Sequence, residues 1–235
     1  MGEENPSSLI EAHLRLEFNA WARAGRGESM ERGHLPVGAQ AIERMRVPAD
    51  ARVLDVGCGN GWATRLLAEQ AKLGRVVGID VSDEMIRRAR DASEGIENVE
   101  FRLASAEHLP FDDRTFTHAF SMESLYYYAD MAAALAEIRR VLAPCGLFVA
   151  VVDLYQENEP SHQWIEQLKV PVHLLSIAQY RALFEKAGFV DVSDERLYSR
   201  ISVPEDYSGG SFRTRDDYMR YLAEGSLMMS GRVKV

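Results

Sequence analysis

Short apolar runs recur through the middle of the chain, at Arg52 to Val56, Arg75 to Ile79, Val99 to Leu103, Phe116 to Ser121 and Gly146 to Asp153. Runs of this length with little polar alternation are the pattern of strands buried on both faces. The segments between them carry their apolar residues at helical spacing instead. In Met131 to Leu142, Leu135, Ile138 and Leu142 share one face while Glu137, Arg139 and Arg140 fall elsewhere, and Pro144 stops the helix. Trp62 to Leu73 predicts a second helix, closed by Gly74. A third opens at Ser82, whose hydroxyl suits an N-cap, with Glu84 in the first turn and Met85, Ile86 and Ala89 on the buried side. Strands alternating with helices imply parallel pairing through right-handed crossovers, so the fold class is α/β, a doubly wound sheet.

Two regions fall outside this alternation. Residues 1–50 read as one or two amphipathic helices in which Ile10, Leu14, Phe18 and Trp21 share a face, followed by a glycine-punctuated stretch with Met30 and His34 that reads as loop. Between Pro204 and Glu224, "PEDYSGGS" and a predicted helix, Arg215 to Leu222, interrupt the last strands. Both are expected to cover the open end of the sheet, where ligands of α/β folds bind beyond the strands' carboxyl ends, and to set substrate specificity. No linker or repeat divides the chain. One domain is expected over 1–235, with an N-terminal helical cap at 1–50, a cofactor-binding core at 51–153, and a C-terminal half at 154–235 that carries a substrate-side insertion.

Composition narrows the functions. The 235 residues are 46% hydrophobic and 27% charged, which is ordinary globular usage, and the net charge of -9 argues against a partner with a phosphate backbone. Cys58 and Cys145 form neither a disulfide framework nor a zinc spacing, and they suit a reducing compartment. The longest apolar stretch, Leu147 to Val152, is far short of the roughly 20 residues that span a bilayer. "MGEENPSS" lacks the pattern of a secretory signal, and Pro6 stands where N-myristoylation needs Ser or Thr. A soluble, cytoplasmic protein without a membrane span is expected, and no feature specifies an oligomeric state.

The chemistry starts at "VLDVGCGNGW", where Gly57, Gly59 and Gly61 follow directly on a predicted strand. Glycine costs backbone entropy, so such a cluster implies a tight turn or a ligand lying against the main chain. The dinucleotide fingerprint is G-x-G-x-x-G, whereas this chain reads G-x-G-x-G. The second strand ends "VVGID", which puts Asp80 about 20 residues past the turn, where an acid accepts hydrogen bonds from ribose hydroxyls. An adenosine-containing ligand is expected, and NAD is not singled out.

These stretches, together with "VVGIDVSDEMI", "ASAEHLPFDD", "FTHAFSMESLYYYAD", "EIRRVLAPCGLFVAV" and "LFEKAGFVDV", stand in an order that resembles the class I S-adenosylmethionine-dependent methyltransferases. The chain is most similar to the methyltransferase type 11 group that includes the ubiquinone and menaquinone biosynthesis enzymes. The resemblance covers residues 50 to 198 well. It implies a Rossmann-like sheet of seven strands, the last, at Ser226 to Lys234, inserted antiparallel, with S-adenosylmethionine over the glycine turn and S-adenosylhomocysteine as product. It further implies that Asp55 faces the methionine end of the cofactor, and that Gly57, Cys58, Gly59, Asn60 and Gly61 line its path. Asp80 would bind the ribose, Val81 and Met85 the adenine face, Ala106 and Glu107 the adenine edge, and Ser121 and Met122 would lie near the methionine. Ser105 stands where such proteins often carry an acid against the adenine amine, a contact its hydroxyl makes more weakly. Pro144, Cys145 and Gly146 replace a familiar Pro-Gly-Gly turn, and the change is expected to cost little because one glycine remains.

Methyl transfer from a sulfonium is an in-line displacement on an activated donor, so alignment matters more than acid–base groups, and a base is needed only where the acceptor must lose a proton. Glu123 and Tyr126, just past the fourth strand, are the first candidates for the acceptor pocket, against the plainer reading of a solvated turn acid and a packed aromatic. Tyr127 and Tyr128 read as packing aromatics. His34 is a candidate base or carboxylate contact, or else a loop histidine, while His108 reads as a surface turn residue and His118 as a satisfied histidine of the sheet. Asp153 reads as a cap closing the fifth strand, with a substrate contact as the alternative. No His/Cys/Asp cluster has metal-ligand spacing, so no metal is expected. Nucleic-acid amino methylators carry an Asn/Asp-Pro-Pro-aromatic element where this chain has Ser121, Met122, Glu123 and Ser124, which with the acidic charge disfavours nucleic acid as acceptor. The expected function is S-adenosylmethionine-dependent methyl transfer to a small-molecule acceptor. The alternatives are a non-catalytic S-adenosylmethionine or S-adenosylhomocysteine-binding module and an NAD-dependent dehydrogenase.

Overall fold

The computed structural model describes residues 6–235. Residues 1–5, on which the signal and myristoylation readings bear, lie outside the described residues. Two helices open the chain, α1 (Pro6–Arg23) and α2 (Arg26–Met45), and the alternation then follows as β1 (Arg52–Val56), α3 (Trp62–Gln70), β2 (Arg75–Asp80), α4 (Asp83–Ala92), β3 (Val99–Leu103), β4 (Phe116–Met122), α5 (Met131–Val141) and β5 (Leu142–Val152). The remaining elements are α6 (Ile177–Lys186), β6 (Phe189–Leu197), α7 (Arg215–Glu224) and β7 (Ser226–Val233). The seven strands form one sheet in the order β3-β2-β1-β4-β5-β7-β6. The first five are parallel, and β7 inserts antiparallel between β5 and β6.

Side chains of a strand alternate between the faces of its sheet, and here both faces are buried. Leu54, Val77, Ile79, Phe148 and Ala150 join one core with Leu135 and Ile138 of α5 and Phe184 of α6. Their neighbours Val53, Val76, Val149 and Val151 join the other, with Leu67 of α3 and Ile42 and Met45 of α2. This explains the continuous apolar runs. Ser82 caps α4 as its position suggests, its hydroxyl accepting from Met85 N at 3.0 Å.

Two local expectations are corrected. The stretch around Met30 and His34 is helical, inside α2, although it contains Gly33, Pro36 and Gly38. Burial outweighs propensity there: Val37, Gly38, Ala41, Ile42 and Met45 face the core, and Gly38 lets the Trp62 ring approach to where a side chain would stand. In the Pro144 turn, Cys145 is the residue with φ of 63°. The glycine that remains, Gly146, is not at the left-handed position, so the turn places its strain on the cysteine.

Candidate functional site

A cavity of about 460 Å³ opens at the carboxyl ends of β1, β2, β4 and β5. Its floor is the turn after β1. Gly57 has φ of 76°, and a Cβ there would lie 2.4 Å from Cβ of Ser124, so only glycine lets this turn pass the segment that follows β4. Gly59 has φ of 53° and open space where its side chain would be, leaving bare main chain towards the cavity.

The turn's N–H groups point inward. Gly57 and Cys58 donate to the Ile79 carbonyl at 2.9 and 2.8 Å, Gly61 donates to Cys58 O, and Trp62 N donates to Asn60 Oδ1. Gly59 N donates to Asp80 Oδ2 at 2.9 Å, and Ser82 N donates to Asp80 Oδ1 at 2.8 Å. Dinucleotide sites use such amides to hold a pyrophosphate, and in this chain those of Gly57, Cys58, Gly59, Gly61 and Trp62 are already satisfied. A carboxylate has about four acceptor sites, so Asp80 keeps acceptor capacity beyond the backbone N–H groups of Gly59, Val81 and Ser82. Burial pushes its carboxyl up, against the N–H groups that favour its charge.

The lining carries the carboxylates Glu11, Asp80, Glu107 and Glu123 and one arginine, Arg26, whose guanidinium lies 5.0 Å over the Trp21 ring. An acidic, aromatic-walled cavity of this size suits a cationic ligand with an adenosine body, so the residues fit a sulfonium nucleoside better than a phosphate-bearing one.

Of the residues expected to bind cofactor, Gly57, Cys58, Gly59 and Asn60 line the floor, Asp80, Val81 and Met85 one wall, and Ser105, Ala106, Glu107 and Met122 the rest. Three do not reach the lining. Asp55 is buried behind the turn, where Thr64 Oγ1 donates to its Oδ2 at 2.6 Å, and burial pushes its carboxyl up to about 7. Gly61 lies against the Phe101 ring at the head of α3. Ser121 is buried with its Oγ 2.7 Å from Ser124 Oγ, which itself donates to the Val56 carbonyl.

The first helix closes one side, with Leu14, Phe18 and Trp21 of α1 facing the cavity as their shared spacing suggests. Asn19 fastens this helix to the α4 cap: its Oδ1 accepts from Ser82 Oγ at 2.6 Å, and its Nδ2 donates to Asp83 Oδ1 at 2.8 Å. Opposite, Trp164, Gln167 and Leu168 arrive from a 3₁₀ segment and Gly210 and Ser211 from the "SGGS" loop, joined where Trp164 Nε1 donates to Ser211 O at 2.7 Å.

His34, Glu123 and Tyr126 all line the cavity. Glu123 has φ of 54°, a strained conformation for a residue with a side chain, and this turns its carboxylate across the end of β5. Its Oε1 accepts from the Asp153 backbone N–H, and its Oε2 accepts from the Tyr126 hydroxyl at 2.7 Å. Burial, then the adjacent Asp153 charge, hold the Glu123 carboxyl well above the usual range. Burial lowers His34, and the Asp153 charge opposes that shift.

Asp153 does not cap with its side chain. Its Oδ2 accepts from the Tyr221 hydroxyl at 2.7 Å. The sequence shows no metal-ligand spacing, yet the fold gathers His34, Glu123 and Asp153 so that one ligand atom of each lies within 4.8 Å of the others. They come from α2 and from the ends of β4 and β5, a convergence that spacing cannot reveal. Ser124, Tyr127 and Tyr128 also line the cavity beyond what the sequence singled out, and their place in a run of serine and tyrosine after the fourth strand was the available signal.

Comparison with known proteins bears on this geometry. The methyltransferase domain family model matches residues 54–150. Methyltransferase GfsG of Streptomyces halstedii is 37% identical over 66% of this chain and 60% of its own length, so the chain spans less than two thirds of that relative. A demethylmenaquinone methyltransferase of Lactiplantibacillus plantarum is 30% identical over 67% of this chain and 78% of its own. Among solved structures, a chain of the Haloferax volcanii complex of the Trm112 methyltransferase activator has a TM-score of 0.87 at 35% identity, covering 93% of this chain and 98% of that one.

Proposed function

The chain belongs to the class I S-adenosylmethionine-dependent methyltransferases, and we propose that it methylates a small, largely apolar acceptor held at the β4 and β5 end of the cavity. The observation that carries this reading is the floor of the site. The amides of Gly57, Cys58, Gly59 and Gly61 are satisfied internally while Asp80 keeps acceptor capacity for ribose hydroxyls, an arrangement for a nucleoside without phosphate. Val81 and Met85 would hold the adenine face, Ser105, Ala106 and Glu107 its edge, and Gly59 would offer bare main chain to the rest of the cofactor. Asp55 acts through Thr64, as a positioning residue beneath the turn, and Ser121 does the same for Ser124.

When bound, S-adenosylmethionine supplies a methyl group open to in-line displacement. The chain aligns and excludes water: α1 covers one side of the cavity and the 3₁₀ segment with the "SGGS" loop covers the other. Glu123 and Tyr126, joined by their hydrogen bond, orient the acceptor, and Glu123 is the carboxylate placed to take a proton from an acceptor hydroxyl. His34 stands on the same side as a second polar contact. The relative named for demethylmenaquinone supports a ring-bearing acceptor with an apolar body.

Calorimetric titration with S-adenosylmethionine, S-adenosylhomocysteine and NAD tests the cofactor reading, with binding of the first two alone expected. Transfer of labelled methyl to a panel of phenols and quinols tests the acceptor. If both sulfur nucleosides bind and no panel member is methylated, the non-catalytic binding module takes its place. The likeness to the Trm112 complex favours a further reading, in which this chain works with an activator protein. Co-purification of such a subunit, with a gain in turnover, is the expected result.

A further inference from the structure

We propose that His34, Glu123 and Asp153 form a binding site for a divalent transition-metal cation at the acceptor end of the cavity. One ligand atom of each lies within 4.8 Å of the other two, close enough for small side-chain shifts to bring all three onto one ion. An acidic cluster alone would not make a site. The independent observation is Asp153, which is 1% exposed and whose Oδ1 is buried without any hydrogen-bond partner, while its Oδ2 is held by Tyr221. A buried carboxylate oxygen with no donor is costly, and the groups around it offer none in place. Glu123 accepts at both of its oxygens, and the His34 ring makes no hydrogen bond among the described residues.

Charge points the same way. Two carboxylates meet here, and among the described residues neither is paired with an arginine or lysine. A divalent cation balances both, with a neutral imidazole as third ligand. One nitrogen and two carboxylate donors suit manganese, iron or zinc better than calcium, which takes oxygens alone. The donors are pre-positioned: Glu123 by its left-handed backbone and its bonds to Tyr126 and Asp153 N, Asp153 by Tyr221, and His34 by the packed helix α2. Three protein ligands leave coordination positions open, and two of the three, His34 and Glu123, line the cavity. An acceptor with a hydroxyl or enol oxygen would occupy one, its acidity increased by the ion; this last step rests on the methyltransferase reading, whereas metal binding itself does not.

The test uses the full chain, stripped with EDTA and dialysed, and titrated with Mn2+ while the free-ion paramagnetic resonance signal is followed, with Zn2+ as competitor. The expected result is one ion per chain, displaced by Zn2+, with affinity at least tenfold weaker in both Asp153→Asn and His34→Gln. Asp153→Asn keeps an acceptor for Tyr221, and circular dichroism with S-adenosylhomocysteine titration on the same samples shows that each variant is folded. The proposal is overturned if the wild-type chain takes up no stoichiometric ion, or if either variant binds Mn2+ as the wild type does. Failure of S-adenosylhomocysteine to bind wild-type protein would instead count against the cofactor reading.

Discussion

At one end of the cavity, the glycine turn and Asp80 come from two neighbouring strand ends and are linked directly, Gly59 N to Asp80 Oδ2. At the other end, His34, Glu123 and Asp153 come from a helix, a strained turn and a third strand end. The first end is a local construction, repeated wherever a strand feeds a helix and an acid closes the next strand. The second exists only once α2, β4, β5 and α7 have packed. A site built locally suits an invariant ligand, and a site assembled across the fold can change with its acceptor while the cofactor end stays as it is.

The seam between the two ends is where the largest effect is expected. Gly57→Ala places a Cβ 2.4 Å from Ser124 at φ of 76°, and should cost about 3 kcal/mol in chemical denaturation, from backbone strain and overpacking together. A variant as stable as wild type would show that the two ends are not in close contact.

Asp55 sharpens the comparison through pH. Its folded-state pKa, pushed up to about 7 by burial, exceeds the unfolded value near 4, so the folded state binds the extra proton between them. Stability from this group is therefore full below about pH 4 and is lost as pH rises towards 7, at up to about 1.4 kcal/mol per pH unit. Asp55→Asn should gain stability relative to wild type across that window, and be similar to it at the acid end. Denaturation midpoints measured at pH 5 and pH 8 decide the matter, and a constant difference between the two proteins would contradict the buried, neutral carboxyl.

In the acceptor end, Tyr126→Phe removes the hydroxyl that donates to Glu123 and should lower turnover about tenfold, the worth of one hydrogen bond to a charged group. S-adenosylhomocysteine affinity should stay within about twofold. Unchanged turnover would leave this hydroxyl a packing role. The smallest effect is expected far from both ends, where Cys145→Gly relieves a φ of 63° and should raise stability by roughly 0.5–1 kcal/mol, with no change in binding.

The same contrast explains what the sequence made legible. The apolar runs, the Ser82 cap and the Gly57-to-Asp80 unit depend on neighbours in the chain, and each stands where its pattern placed it, except that the fifth strand starts at Leu142 rather than Gly146. His34 looks like a loop residue because Gly33, Pro36 and Gly38 surround it, and the segment is helical because Val37, Gly38, Ala41, Ile42 and Met45 are buried, with Gly38 packed on Trp62. Asp153 looked like a cap because its partner, Tyr221, arrives from an insertion with no local relation to it. Asp55 stood in the right strand, but its partner Thr64 in α3 draws it behind the floor.

The central claim is that the two ends are separable, one for the sulfur nucleoside and one for the acceptor. Its most direct test is calorimetric titration of S-adenosylhomocysteine into wild type, Asp80→Ala and Glu123→Gln. Asp80→Ala should weaken binding by on the order of 100-fold through lost hydrogen bonds to the ribose, and Glu123→Gln should leave it within about twofold. Equal losses in both variants, or a loss in Glu123→Gln alone, would contradict the account.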